Sequence, residues 1–162
     1  MPNRYAPIGD YGVIGDLHTI ALVSMDASVD FLCLPSFDSP SVFAALLDAD
    51  RGGRFQIAPI LDHATRKQLY LSDTNILLTR FLHPDGVAEV SDFMPVVEDA
   101  GQAHALVRRP KTVRGELRFR MLCDPRYDYA RSPHTAKQLS DTEVLFVGPA
   151  GAEELALRLR SS

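Results

Sequence analysis

The chain has 162 residues, of which 46% are hydrophobic and 23% charged, with a formal net charge of −4. That length suits one domain with a real core, in an ordinary globular composition. The negative balance offers no basic field for nucleic acid or an anionic membrane, and no apolar run reaches the roughly 18 residues of a membrane-spanning helix, so neither partner is expected.

The dominant period along the chain is two, the signature of half-buried strands. Residues 19–24 and 29–34 are apolar runs joined by Met25-Asp26-Ala27-Ser28, a four-residue hairpin connection. One segment then breaks the pattern. Ser39 can cap a helix and Pro40 suits its first position. Val42, Phe43, Leu46 and Leu47 share one face at helical spacing, and Arg51-Gly52-Gly53 ends the run. The pattern predicts a short helix near residues 40–47. Residues 75–83 and 87–94 form a second hairpin around Pro84-Asp85-Gly86. Residues 100–102 read as a loop, and 104–109 as a strand. Leu117, Phe119, Met121 and Cys123 alternate with Arg118, Arg120 and Leu122. Residues 135–139 and 143–147 are further strands, and 149–151 a loop. Leu155, Leu157 and Leu159 finally alternate with Ala156, Arg158 and Arg160. Many short strands between Gly, Pro and Asp turns predict an all-β antiparallel fold. The period alone fits a sandwich or a barrel.

The start, Met1-Pro2-Asn3-Arg4-Tyr5, has no apolar signal core, and a cytoplasmic location is expected. Cys33 and Cys123 sit in apolar strand-like runs and are expected as buried reduced thiols, although their sequence positions leave a disulfide open. The five histidines show no metal-ligand spacing, so no metal is expected. Asp10 and Asp16 bracket Tyr11-Gly12-Val13-Ile14-Gly15. They can ligate a cation or, in the plainer alternative, accept backbone N–H bonds in turns. No serine stands in a nucleophile elbow, and Gly52-Gly53 opens no phosphate-binding helix, so no cofactor is expected.

Two loops stand out. In Pro35-Ser36-Phe37-Asp38-Ser39-Pro40, two prolines stiffen the chain and Asp38 and Ser39 can fix its hydrogen bonds. The plain expectation is a rigid strand-to-helix corner with Phe37 in the core. Residues 124–131 gather Tyr127, Tyr129, Arg126, Arg131, Asp124 and Asp128. These can stack on and bond a sugar, or hold the loop through Asp–Arg pairs with half-buried tyrosines.

Residues 8–59 (IGDYGVIGDLHTIALVSMDASVDFLCLPSFDSPSVFAALLDADRGGRFQIAP), with 71–81 (LSDTNILLTRF), 90–95 (VSDFMP) and 121–131 (MLCDPRYDYAR), occur in an order and spacing that resembles the opening of bacterial glycoside hydrolase family 15 enzymes, the glucoamylase- and trehalase-like glucosidases. The resemblance implies an N-terminal antiparallel β-sandwich, 1–162, ahead of an (α/α)6 barrel that carries two catalytic glutamates. None of Glu89, Glu98, Glu116, Glu143, Glu153 and Glu154 lies in a segment matching the barrel motifs, so no catalytic residue is carried over. The implied role is a non-catalytic domain that supports the barrel, in cis or in trans. Phe37, Asp38, Ser39, Tyr127, Tyr129 and Arg131 are then candidates for the barrel interface or the sugar-pocket rim. The alternatives are an independent carbohydrate-binding module, against which the lack of Trp weighs, and a truncated frame without function. The family sandwich continues beyond the last strand here, so an incomplete sandwich that self-associates through an open edge is expected. Family members commonly carry Gly at Ala27, Trp at Phe31 and Arg at Ser36, and Pro110 interrupts a segment that is usually β-branched. The loss of the arginine at Ser36 removes one group able to bind a carboxylate or a sugar hydroxyl.

Overall fold

The computed structural model describes residues 5–96, 104–148 and 155–162. The loop positions 100–102 and 149–151, and Glu98, Glu153 and Glu154, lie outside the described residues.

The described residues form antiparallel strands throughout. The first group is β1 (Tyr11–Gly15), β2 (Ile20–Ser24), β3 (Ser28–Cys33), β4 (Ser41–Phe43) and β5 (Arg54–Pro59). Next come β6 (Thr65–Tyr70), β7 (Leu77–His83), β8 (Gly86–Phe93), β9 (Val107–Arg114) and β10 (Phe119–Asp124). The chain closes with β11 (Thr135–Ser140), β12 (Glu143–Val147) and β13 (Ala156–Arg160). A six-stranded sheet has the order β1-β2-β3-β5-β10, with β4 also paired to β3. The order β6-β7-β8-β9 forms a second sheet and β11-β12-β13 a third.

Alternation puts one face of each main strand inside. In β5, Phe55, Ile57 and Pro59 are buried while Arg54, Gln56 and Ala58 are half-buried. In β8, Gly86, Ala88, Val90 and Asp92 are buried between half-buried neighbours. The main core joins Ile14, Val23, Val29, Phe55 and Ile57 of the first sheet to Leu77 and Met94 of the second, the inner faces of a sandwich. A smaller cluster of Ala27, Ala64, Phe81, Ala88 and Val90 continues it. Each such side chain contributes about 1.5–3 kcal/mol when fully buried.

One buried ion pair ties the two sheets together. Arg108 of β9 donates from Nε to Asp92 Oδ1 at 2.9 Å and from Nη2 to Asp92 Oδ2 at 3.2 Å. The same guanidinium crosses to the first sheet, donating to the Ala27 carbonyl at 2.6 Å and to the Phe55 carbonyl, and lies 4.7 Å from the Phe55 ring centre.

The helix expected near 40–47 is not there. Ser41–Phe43 is β4, with Leu32 opposite Phe43 and Cys33 opposite Ser41. The next two N–H groups, of Ala44 and Ala45, donate to Gly52 and Gly53 carbonyls at 2.8 and 3.1 Å. Tertiary pairing thus overrides a helical apolar period, and Leu47, which a helix would bury, is 61% exposed. A three-residue 3-10 helix spans Ile8–Asp10, and the short α-helix among the described residues is α1, Tyr127–Ala130. Asp128, Tyr129 and Ala130 have φ of 51, 53 and 64°, so its turn is left-handed.

Leu155, Leu157 and Leu159 pack, half-buried, against the main core. The bare apolar face expected there is therefore covered. On the other side Arg158 and Arg160 both pair with Glu143, at 2.8 and 2.9 Å.

Strand directions give the sandwich two unlike ends. At one end, residues 25–27 and 84–85 make tight connections between paired strands, and residues 115–118 cross from β9 of one sheet to β10 of the other. The other end collects residues 16–19, 34–40, 71–76, the approach to β9 and residues 125–134. Both loops singled out in the sequence lie at this second end.

Candidate functional site

Loops grouped at one end of a rigid sandwich are the usual place for binding surfaces. Here the loops are fixed from within by Asp16, a carboxylate only 5% exposed. Its Oδ1 accepts the backbone N–H of His18 at 3.0 Å and of Thr19 at 2.9 Å. Its Oδ2 lies 2.6 Å from Nδ1 of His104. The plainer of the two expectations for Asp16, a turn acceptor, is the geometry found. Burial works to raise this carboxyl's pKa, but the His104 hydrogen bond, joined by the N–H groups of Thr19 and His18, outweighs it and holds the group below its ordinary value.

From this centre the bonds spread outward. The Thr19 hydroxyl donates to the Cys33 carbonyl at 2.5 Å. The Phe37 N–H donates to the His18 carbonyl at 3.2 Å, and the Ser36 N–H to Ser39 Oγ at 3.1 Å. Asn75 Nδ2 donates to the Gly15 carbonyl at 3.2 Å. The His18 and His104 rings meet edge to face, 5.7 Å apart. Four separate chain segments are thus locked into one platform.

On that platform stand two large apolar side chains with little cover. Leu17 is 78% exposed and Phe37 59% exposed. The expectation that Phe37 fills the core is corrected: its N–H is tied to the 16–19 loop, which turns the ring out. Leu17 has a φ of 76°, a left-handed backbone that favours glycine. Asp38 is exposed and Ser39 half-buried.

The second candidate loop reaches the same end through β10. Asp124 stands opposite Arg54, and the Arg126 N–H donates to the Val42 carbonyl at 2.8 Å, seating α1 against β4. Tyr127 is buried, and its hydroxyl donates to the Phe146 carbonyl at 3.0 Å. Burial pushes its pKa up to about 12. Its polar tip is therefore spent on the fold. Tyr129 is 44% exposed at the crest of the left-handed turn. Arg131 is exposed, with Nη1 3.7 Å from Asp128 Oδ1. The loop is braced by Arg126–Asp124 at 3.1 Å and by His134 Nδ1 2.7 Å from the Pro125 carbonyl. Among the described residues, no group of three or more His, Cys, Asp or Glu is placed to hold a metal ion.

Sequence reasoning missed the Asp16–His104 contact and Leu17. Residues 16–19 (DLHT) announce an Asp-led turn, but His104 lies 88 positions away and no local pattern joins the two.

Comparison with known proteins matches residues 2–157 to the family described as trehalase-like, N-terminal. The chain belongs to that family. A trehalase of Mycolicibacterium smegmatis is 33% identical over 180 residues, covering 99% of this chain and 25% of the relative. A trehalase of Mycobacterium tuberculosis is 31% identical over 147 residues, covering 81% and 22%. Trehalase 1 of Sulfolobus acidocaldarius is 36% identical over 146 residues, covering 90% and 24%. The chain therefore spans about a quarter of the length of the curated relatives it matches. No solved structure matches it.

One family departure noted in the sequence now has a geometry. Ala27, where trehalase-like N-terminal domains commonly carry Gly, has a φ of 51° and is fully buried. Its methyl joins the smaller core cluster, which offsets part of the cost of that backbone.

Proposed function

We propose that this chain is the non-catalytic N-terminal domain of a glycoside hydrolase family 15 enzyme that cleaves α-glucosidic bonds, and that it supports and borders a catalytic (α/α)6 barrel. The observation that carries this is the family match across residues 2–157 together with the quarter-length coverage of three trehalases. The surface assigned to the barrel is the loop end. Leu17 and Phe37 serve as apolar anchors, with Tyr129 and Arg131 exposed on the second loop; Asp38 and Ser39 shape the first loop, and Tyr127 holds the second from behind. Large exposed side chains on internally bonded loops lose little freedom on docking, which favours such a role. Left-handed backbone at Leu17 and at 128–130 is the kind of local cost that persists at functional surfaces. A cytoplasmic enzyme is part of the proposal, and the free thiols of Cys33 and Cys123 are in keeping with a reducing compartment.

The test has two arms. The isolated chain is assayed on trehalose, maltose and an aryl α-glucoside, with no turnover expected. Turnover that scales with pure protein and is lost on changing one of its own carboxylates overturns the assignment. In a trehalase-length polypeptide carrying this domain, Phe37→Ala and Tyr129→Ala are expected to lower activity or thermal stability. Unchanged values in both variants remove the loop end as the interface.

A further inference from the structure

Away from the loop end, on the outer face of the six-stranded sheet, lies a cleft of about 250 Å³. Its floor is Asp30, only 7% exposed. Asp30 Oδ2 accepts the Tyr11 hydroxyl at 2.9 Å and Oδ1 accepts the Ser28 hydroxyl at 2.6 Å. A carboxylate offers about four acceptor sites, and these two bonds use half of them. Both donors are neutral hydroxyls.

The walls add groups already aimed by other bonds. Arg54 Nη2 donates to the Ala49 carbonyl at 2.8 Å, which fixes the guanidinium plane. Gln56 Nε2 donates to the Asp26 carbonyl at 3.3 Å, which leaves its Oε1 to accept. Arg66 and Asp26 neutralise each other at 2.6 Å. At the rim Tyr5 is 41% exposed and contributes a flat apolar ring.

The geometry points to a binding site for a neutral polyhydroxylated ring about the size of one hexose. With the Asp26–Arg66 pair set aside, Asp10 and Asp30 outnumber Arg54 by one negative charge, so the cleft disfavours an anion, while Arg54 in its wall opposes a cation. It presents acceptors and donors on planar groups within one small volume, and a vicinal diol is both donor and acceptor. Pockets for drug-sized ligands are roughly 300–1,000 Å³ and mostly apolar, so this cleft is smaller and more polar than those. A second cleft, on the outer face of the β6–β9 sheet, makes the contrast. It is lined by Arg80, Arg109 and Lys111 against Glu89 alone and suits an anion. The hexose-sized site lies apart from the loop end and stands or falls independently of any barrel.

Amide spectra of the full, isotope-labelled chain test it, with D-glucose and myo-inositol as neutral probes and succinate and inorganic phosphate as charged ones. Saturable shifts are expected at the amides of residues 10–11, 26–30 and 54–56 with the neutral probes. Arg54→Ala and Gln56→Ala are expected to weaken binding about ten-fold each, the effect of losing one hydrogen bond to a charged or fixed group, while the spectrum stays dispersed as a folded chain. Arg109→Ala, in the other cleft, is expected to leave glucose binding unchanged. No saturable shift with either neutral probe, shifts confined to another face, a response to succinate or phosphate alone, or undiminished binding in both cleft variants overturns the site.

Discussion

Asp16 shows how one side chain can hold several loops and leave a signature in solution. Its folded pKa lies below the ordinary 3.8, so its charged form is favoured by folding. The linked stability is fully present above the unfolded pKa and is lost as pH falls through the folded one. Chemical denaturation from pH 7 down into the acid range should show this loss in the native chain. Asp16→Asn should flatten that part of the profile and lower stability at neutral pH by about 1.5–3 kcal/mol, the range for hydrogen bonds to a charged group. An unchanged acid limb in the variant rejects Asp16 as its source. Leu17 next to it argues in the other direction. Left-handed backbone costs a non-glycine residue roughly 1–2 kcal/mol, and glycine gives back roughly 0.4–1 kcal/mol in unfolded-chain entropy. With its side chain exposed, Leu17→Gly should therefore gain about 0.5 kcal/mol in thermal unfolding, and a loss of stability contradicts the assigned backbone. At this scale the sequence was partly legible. The Asp-led turn at 16–19 follows from side-chain chemistry, whereas the partner His104 and the outward turn of Phe37 depend on contacts between loops that only the fold brings together.

Strands were read where apolar and polar residues alternate, as in β7, β8, β10 and β13, and missed where a different force decides. Strand β6 has five of six residues exposed, so it carries no apolar signal, and the pairing of its whole length with β7 forms it instead. Strand β4 took a helical apolar pattern and became extended because Leu32 and Cys33 supply its partners. Pro110, an oddity in sequence, sits in β9 at the edge of its sheet, where a missing N–H breaks no ladder. The Arg108–Asp92 pair lies within the second sheet, between β9 and β8, while the same guanidinium bonds the Ala27 and Phe55 carbonyls of the first, and it makes the sharpest element-scale prediction. Arg108→Ala leaves a fully buried carboxylate unpaired and should cost about 3–5 kcal/mol in urea unfolding. Arg108→Met with Asp92→Leu should cost clearly less, because the pair is removed together with its desolvation penalty. Equal losses in the two variants reject the ion-pair explanation. Gly53 supplies a second check. It has a φ of 69°, and an added Cβ would lie 2.6 Å from Arg126 Cγ and closer still to the Asp124 carbonyl oxygen. Gly53→Ala should therefore push the start of β5 away from the 124–126 corner and destabilise by about 1–3 kcal/mol, with the largest amide shifts at residues 124–131.

Among the described residues, the molecule's sheet edges are not alike: some are guarded by charge, while β10 presents apolar side chains. The edge of β9 carries Arg109, Lys111, Arg114 and Pro110, the charges and proline that discourage edge pairing. The edge of β13 carries Arg158 and Arg160 on the face away from the core. Strand β10 pairs with β5 alone among the described strands and has Met121 and Leu122, on opposite faces, 50% and 46% exposed. We therefore predict that the self-association expected from the sequence uses β10, where a second copy can pair antiparallel about a two-fold axis. Magnitudes set its strength. Covering the exposed halves of Met121 and Leu122 gains about 1 kcal/mol each per copy, and each new ladder bond a net of about 1 kcal/mol. Association itself costs roughly 4–15 kcal/mol, so the surplus is small and the dimer weak. Sedimentation equilibrium across a concentration series should show monomer at low concentration and a rising share of dimer at high concentration. Leu122→Lys should keep the chain monomeric throughout and shift unfolding by no more than about 0.5 kcal/mol, as for an ordinary surface change. A monodisperse monomer of the native chain at the highest concentration, or a dimer that persists in Leu122→Lys, rules out the β10 edge.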